Sequence, residues 1–195
     1  MPKFVDESDV IGQSVCMSRY PPERIDVGDV ALRRDAVDDA ASIAGAVSDN
    51  LEHLRPWMPW ANEENATVEA QRARLESMTK NWDAGEDYEF MAERNGACIG
   101  VFGLHRRVGP GAIEIGYWLT EQMTGYGIAT ACTAALTKAG LDLDDVDRVE
   151  IHCDVANERS QKIPERLGYR LDRVEDDEIE APGEIGRSMV WLYPA

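Results

Sequence analysis

Gly116-Tyr117-Trp118-Leu119, followed by Gly125-Tyr126-Gly127-Ile128-Ala129-Thr130 and then an alanine-rich run, is the stretch whose reading decides the fold. It describes a strand that ends, a turn made by glycines, and a helix that opens at once. The first backbone N–H groups of such a helix have no partner and sit at the positive end of its dipole, so the turn is a cradle for an anion. Glycines there let a phosphate or pyrophosphate approach the main chain. A tight corner made for its own sake would use the same residues. No Gly-x-x-x-x-Gly-Lys-Ser/Thr motif is present, and the Gly-x-Gly-x-x-Gly dinucleotide pattern fails because Thr130 stands where its third glycine belongs. A nucleoside-triphosphate loop and a dinucleotide site are therefore disfavoured, and a different pyrophosphate ligand remains.

Outward from this turn the chain alternates short apolar strands with helices. Towards the N-terminus, residues 112–120, 97–107 and 88–93 read as successive strands, with Asn95-Gly96 and Gly109-Pro110-Gly111 as their turns. Before them come a polar helix over 67–84, a loop rich in Trp and Pro, a helix over 36–48 with Ile43 and Val47 on its apolar side, and a strand over 30–34. Towards the C-terminus, 130–140 reads as a helix and 148–155 as a strand. A short helix over 157–167 stops at Gly168, and two last strands lie near 170–174 and 186–192. Residues 1–28 read as an N-terminal extension and 29–195 as one α/β domain.

The length of 195 residues suffices for one ordinary core. No apolar run reaches the length of a membrane span and the first residues lack a signal-peptide core, so the expected location is cytoplasmic, away from membranes. The formal charge of −17 argues against nucleic acid as a partner and favours a cationic substrate. The same charge fits a heavily solvated or salt-adapted surface, since only Lys3, Lys80, Lys138 and Lys162 are lysines. Cys16, Cys98, Cys132 and Cys153, and His53, His105 and His152, show no paired ligand spacing, so no metal is expected and the cysteines read as free thiols.

Four words in order make the chain resemble the GNAT superfamily of N-acetyltransferases, and more narrowly its RimJ/RimL-like branch, which acetylates ribosomal-protein N-termini. They are Leu54-Arg55-Pro56-Trp57-Met58-Pro59-Trp60, Glu114-Ile115-Gly116-Tyr117-Trp118-Leu119, Gly125-Tyr126-Gly127-Ile128-Ala129-Thr130, and Asn157-Glu158-Arg159-Ser160 with Arg166-Leu167-Gly168-Tyr169. The match runs over roughly residues 29–193. The resemblance implies a single domain with a mixed, mostly antiparallel central sheet, splayed central strands and flanking helices. It implies acetyl-CoA as co-substrate. Trp118, Leu119 and Thr120 would pair with the pantetheine arm; Thr124, Gly125, Tyr126, Gly127, Ile128, Ala129 and Thr130 would hold the pyrophosphate; Asn157 and Ser160 would lie at the thioester end. Two positions depart from the family. Thr124 replaces a Gln or Arg, and Pro164 stands where many relatives outside the branch carry a tyrosine acid.

Acyl transfer from a thioester to an amine needs a neutral amine, a polarised carbonyl and a proton for the departing thiolate. Ser160 matches the branch's serine near the sulfur. Asn157 is equally an ordinary helix N-cap. Pro164 removes an N–H from the helix interior and predicts a kink or a late start. For a base, Glu114 shares a strand face with Gly116 and Trp118, and the branch's other choice, a glutamate beyond the last Gly-Tyr segment, falls nearest Glu178 with Glu180 close behind. Both glutamates fit plain surface positions as well. His152 shares a face with Glu150 and Asp154 and reads as peripheral. Trp57 and Trp60 resemble an acceptor wall, with a hydrophobic plug as the alternative. Tyr117 and Trp118 face opposite sides of one strand, so one of them is expected in a given cleft.

The acceptor is a primary amine, first of all a protein or peptide N-terminus, attacked directly with no covalent enzyme intermediate, and the protein acts as a monomer or homodimer. A small-molecule amine, a succinyl donor, or a non-catalytic acyl-CoA sensor are the alternatives.

Overall fold

The computed structural model describes residues 18–194. One sheet contains eight strands, β1 (Arg24–Val27), β2 (Val30–Arg34), β3 (Asp87–Arg94), β4 (Ala97–His105), β5 (Ala112–Leu119), β6 (Arg148–Asp154), β7 (Arg170–Asp176) and β8 (Arg187–Tyr193). Their spatial order is β1-β2-β3-β4-β5-β6-β8-β7. Every neighbouring pair is antiparallel except β5 and β6. Among the described residues the α-helices are α1 (Ala40–Ser48), α2 (Leu51–Leu54), α3 (Val68–Ala84), α4 (Ile128–Leu141) and α5 (Glu158–Leu167). This is the expected α/β arrangement.

The parallel pair creates the site. A parallel connection needs a crossover, and α4 supplies it between β5 and β6. The two strands are joined only over Ala112–Arg148, Ile113–Val149 and Glu114–Glu150. Beyond that row β5 stays with β4 as far as Leu119 opposite Gly100, and β6 stays with β8 as far as Asp154 opposite Ser188. The strands therefore splay. From residue 115 onward the β5 edge that faces β6 has no strand partner, leaving backbone groups free in the middle of the sheet.

Helices cover both faces. On the α4 side, Phe102, Leu104, Ile113, Ile115, Val149 and Ile151 pack with Cys132 and Leu136. On the α1 and α3 side, Met91, Cys98, Val101 and Trp118 pack with Ile43, Val47 and Leu75. Cys98 and Val101 share a face despite their odd spacing because the β3–β4 register slips, so that Ile99 is the extra residue of a β-bulge. The bulge also sets Gly103 and His105 on the α1/α3 face.

Four elements differ from the sequence reading. The sheet begins inside the segment read as an extension, since β1 pairs with β2 from Arg24–Arg33 to Val27–Val30. Ser18 also bridges to Leu143, its N–H donating to the Asp142 carbonyl at 2.9 Å. The helix read over 36–48 is a 3₁₀ turn (Val37–Asp39) leading into α1. The extra turn α2 precedes the Trp/Pro loop. Pro164 neither delays nor breaks α5, which runs from Glu158 to Leu167.

Candidate active site

The splay opens into a cavity of about 590 Å³ on the α1/α3 face. Trp57, Met58, Pro59 and Trp60 line one wall of the cavity. Trp60 packs on Trp118 with ring centroids 6.0 Å apart, an arrangement worth about 0.5–1.5 kcal/mol beyond the area it buries. The loop over 177–186 closes the opposite side. Its Gly183 N–H donates to the Pro56 carbonyl at 2.8 Å, and Asp154 Oδ2 accepts from the N–H groups of Ile185, Gly186 and Arg187 at 3.0, 3.2 and 3.3 Å. Partial burial pushes the Asp154 pKa up, but these donors, with Ala156 N–H on Oδ1, hold it below the ordinary carboxylate value. Asp154 thus ties the loop to the end of β6.

Glu178 stands outside this cavity, on the exposed part of the loop, while Glu180 and Glu184 line it. The loop's anchoring at Asp154 brings its later half to the cavity, so of the two glutamates read as base candidates there, Glu180 borders it and Glu178 does not. Glu114 does lie on the floor, 6% exposed. Both its oxygens accept from Arg107, at 2.7 Å from Nε and 2.6 Å from Nη2. Burial works to raise its pKa, and the Arg107 hydrogen bonds overcome this and leave it below the ordinary value. A carboxylate so held is a weak base. His152 also borders the cavity, its Nε2 2.8 Å from Glu150 Oε2, and Glu150 accepts in addition from Arg148 Nε at 2.8 Å.

Ser160 lies across the splay. Asn157 caps α5 by accepting from Ser160 N–H at 3.1 Å, which fixes the serine in the first turn. Ser160 Oγ is 2.9 Å from Tyr117 Oη. The same phenol comes within 3.5 Å of the Ser160 carbonyl, the acceptor that Pro164 leaves without a helical donor. Burial pushes the Tyr117 pKa well up, outweighing its contact with Ser160, so the phenol keeps its proton. Tyr117 and Trp118 point to opposite faces, yet both border the cavity because the gap between β5 and β6 opens on both. Cys153 borders it too, but burial pushes its thiol up to about 11, which leaves it an unreactive thiol at neutral pH.

The glycine turn sits beyond the β5 end. Leu119 and Thr120 are buried where β5 leaves the sheet, the Thr120 N–H donating to the Ile99 carbonyl at 2.9 Å. Thr124 Oγ1 donates to the Glu121 carbonyl at 2.7 Å, so it shapes the turn rather than extending from it. Gly125 and Gly127 have φ of +84° and +79°, and a Cβ added at either meets nothing within 4 Å. Gly127 is the N-cap of α4 and offers no side-chain hydrogen bond. The N–H groups of Ile128, Ala129 and Thr130 therefore begin the helix without side-chain capping, beside the 76% exposed Tyr126.

His105 and Arg107 border the cavity but were not read as candidates from the sequence. They are two residues apart in the chain, and they reach Glu114 because β4 runs antiparallel to β5, with His105 opposite Glu114. Among the described residues no group of three or more His, Cys, Asp or Glu is placed to hold a metal ion, and no helix is long and apolar enough to cross a membrane.

Known proteins share this architecture. A curated relative, YdaF of Bacillus subtilis (strain 168), assigned by name to the ribosomal N-acetyltransferases, is 27% identical over 142 residues, 72% of this chain and 77% of that one. The structure of a RimL ribosomal α-N-protein acetyltransferase in complex with coenzyme A superposes with a TM-score of 0.79 at 22% identity, covering 87% of this chain and 97% of that one. The microcin C7 self-immunity acetyltransferase MccE, in complex with acetyl-CoA and AMP, gives 0.80 at 20% identity, covering 92% and 98%. The acetyltransferase (GNAT) domain model matches residues 29–170. With the splay, the glycine turn and α4 all inside that match, the chain belongs to the GNAT acetyltransferase family.

Proposed function

We propose that this protein moves an acetyl group from acetyl-CoA to a primary amine, with a protein or peptide N-terminal amine as acceptor. The observation that carries the proposal is the pairing of two compartments through one gap. The uncapped glycine turn lies at one end of the β5–β6 splay, and a walled, acidic cavity lies at the other. The turn suits the pyrophosphate, and the free β5 edge suits the amide groups of a pantetheine arm. The coenzyme A and acetyl-CoA complexes among the structurally similar proteins support this donor.

The cavity supports a cationic acceptor. Glu89, Glu114, Asp154, Glu180 and Glu184 line it against Arg74 and Arg107, which favours an ammonium ion entering. The relative named for ribosomal N-acetylation supports an N-terminal amine as that group. Ser160, on the far side of the gap, is assigned to donate a proton or hydrogen bond to the leaving thiolate, with Tyr117 orienting its hydroxyl. The thioester is already activated, so holding amine and carbonyl together supplies much of the rate, effective molarities reaching about 10⁵ M in well-oriented systems.

The test is a thiol-release assay with acetyl-CoA across three acceptor sets: peptides with free N-termini, N-terminally blocked peptides with lysines, and small amines. Transfer to the first set is expected. Saturable donor binding with no transfer to any set would replace the enzyme by an acyl-CoA sensor.

A further inference from the structure

The cavity holds a built histidine seat that the residues assigned so far do not use. His105 is the last residue of β4, between Asp87 of β3 and Glu114 of β5 in register. Its ring folds back over the sheet. A Cβ added at Gly103 would lie 2.3 Å from Nε2, and one added at Gly116 would lie 3.2 Å from it. These two glycines are cross-strand partners in the central strands. Glycine within a strand costs about 0.5–1 kcal/mol relative to alanine, and here both vacate the space that the imidazole fills.

The two ring nitrogens have different surroundings. Nδ1 is 3.2 Å from Asp87 Oδ1. A carboxylate there places the proton of the neutral ring on Nδ1 and leaves the Nε2 lone pair free. Nε2 has no hydrogen-bond partner among the described residues and is not closed off from solvent. It lies against Gly116, two residues past the last β5–β6 pair, on the face where the cavity opens. Ser160 approaches the same strand from the other face, through Tyr117. Most competing groups are engaged. Arg107 takes both oxygens of Glu114, His152 spends its outer nitrogen, Nε2, on Glu150, Glu184 Oε2 accepts from the Glu180 and Ala181 N–H groups, and Asp154 holds the loop backbone; the Glu180 carboxylate, on the loop that closes the far side, is the remaining rival. The charged groups around the cavity that His105 shares are Asp87 on β3, the paired Glu114 and Arg107, Arg74 of α3 against Glu89, His152 and Asp154 of β6, and Glu180 and Glu184 of the loop.

We propose that His105, oriented by Asp87, is the base that takes the proton from the acceptor ammonium. This rests on the transferase reading above. Nε2 accepts one proton from R–NH₃⁺ and releases it later to solvent. The resulting R–NH₂ forms the N–C bond at the thioester carbonyl, and the C–S bond breaks. The second amine proton ends on the departing sulfur by way of Ser160. The products are the amide, the free thiol and one proton in solution.

The closing experiment compares wild type, His105→Gln and Asp87→Asn with an N-terminal peptide acceptor and acetyl-CoA. Turnover in His105→Gln is expected to fall about 10²-fold or more at pH 7, with the calorimetric acetyl-CoA affinity and thermal midpoint unchanged. Its rate should recover as pH approaches the amine's own pKa, near 8, and with a less basic amine that is already neutral at pH 7. Asp87 acts as a positioning residue. Long-range ¹⁵N–¹H NMR is expected to show the Nδ1–H tautomer of His105 in wild type and its loss in Asp87→Asn. Full activity of His105→Gln, or an Nε2–H tautomer in wild type, overturns the proposal while leaving the transferase reading intact. A wild type that binds donor but acetylates no amine overturns both.

Discussion

Replacing Arg107 by methionine probes how the cavity floor is held. Glu114 is 6% exposed and depends on Arg107 for both of its hydrogen bonds. Removing one partner of a buried ion pair costs about 3–5 kcal/mol, because the other charge stays buried and unpaired. The Arg107 side chain is 62% exposed, so solvent screens the pair and reaches the carboxylate once the guanidinium is gone. We therefore take about 2 kcal/mol. In a chain of 195 residues that corresponds to a fall in Tm of about 4–8 °C.

The pH dependence sharpens the test. In the wild type, burial pushes the Glu114 pKa up and Arg107 more than reverses this, leaving it below 4.5. A carboxylate with a depressed folded-state pKa contributes stability above its unfolded pKa and loses it as pH falls through the folded value. Without Arg107 the upward push of burial, the largest influence, is opposed only by the smaller effects of His152 and His105, and the sign inverts: the folded-state pKa rises above the unfolded one, so the same group costs stability as pH rises. The Tm difference between wild type and Arg107→Met should be small at pH 4 and largest near pH 7, read by thermal denaturation followed by tryptophan fluorescence. Arg107→Met/Glu114→Gln should recover most of the loss, since a neutral amide needs no counter-charge. A Tm difference that is constant from pH 4 to 8, or a double variant no better than the single, would refute the reasoning.

Two further outcomes are expected. Burial, reinforced by the nearby Glu89 carboxylate and opposed by Arg74, pushes the Asp35 pKa up to about 7 from 3.8; the folded state binds the extra proton, so this group's contribution to stability is lost as pH rises from about 4 to 7. Asp35→Asn should gain Tm relative to wild type across that window, and a difference that does not grow with pH would sink the assignment. Gly127→Val places a β-branched residue at φ +79°, which costs about 1–2 kcal/mol in the left-handed region, and fills the open space before the turn. It should weaken acetyl-CoA binding by calorimetry about tenfold or more with little change in kcat at saturating donor, and an unchanged affinity would remove the turn from the donor site.

Much of the fold was legible because its signals are local. The strand over 112–120, the glycine turn and the helix behind it announce themselves in one window, and Asn157 and Gly168 mark the two ends of α5. β1 was not legible. It has four residues, with half-buried Ile25 and Val27 alternating with exposed Arg24 and Asp26, a pattern too short to distinguish from a tail. Pro164 misled in the opposite direction. Its missing N–H predicts a disturbed helix when only the chain is in view, but the freed Ser160 carbonyl faces Tyr117, a residue 43 positions away.

The site divides along the same line. Ser160 is readable because the motif around it is contiguous, whereas a base is chosen by what the other candidates are bound to, and no window of sequence contains that. Glu114 lies on the face that alternation assigns to it, yet Arg107 reaches it only because β4 turns back onto β5. His105 looks isolated in the chain, with His53 and His152 as the other histidines, both far from it in sequence. Three register facts make it a candidate base: Asp87 stands opposite it on β3, Gly103 pairs with Gly116 beneath the ring, and beyond the Ile99 bulge Gly103 and His105 both border the cavity. Glycine is the one signal that survives in the sequence. Two glycines in the middle of otherwise apolar central strands weaken the sheet, so their cross-strand pairing marks a place where something must lie close to the backbone.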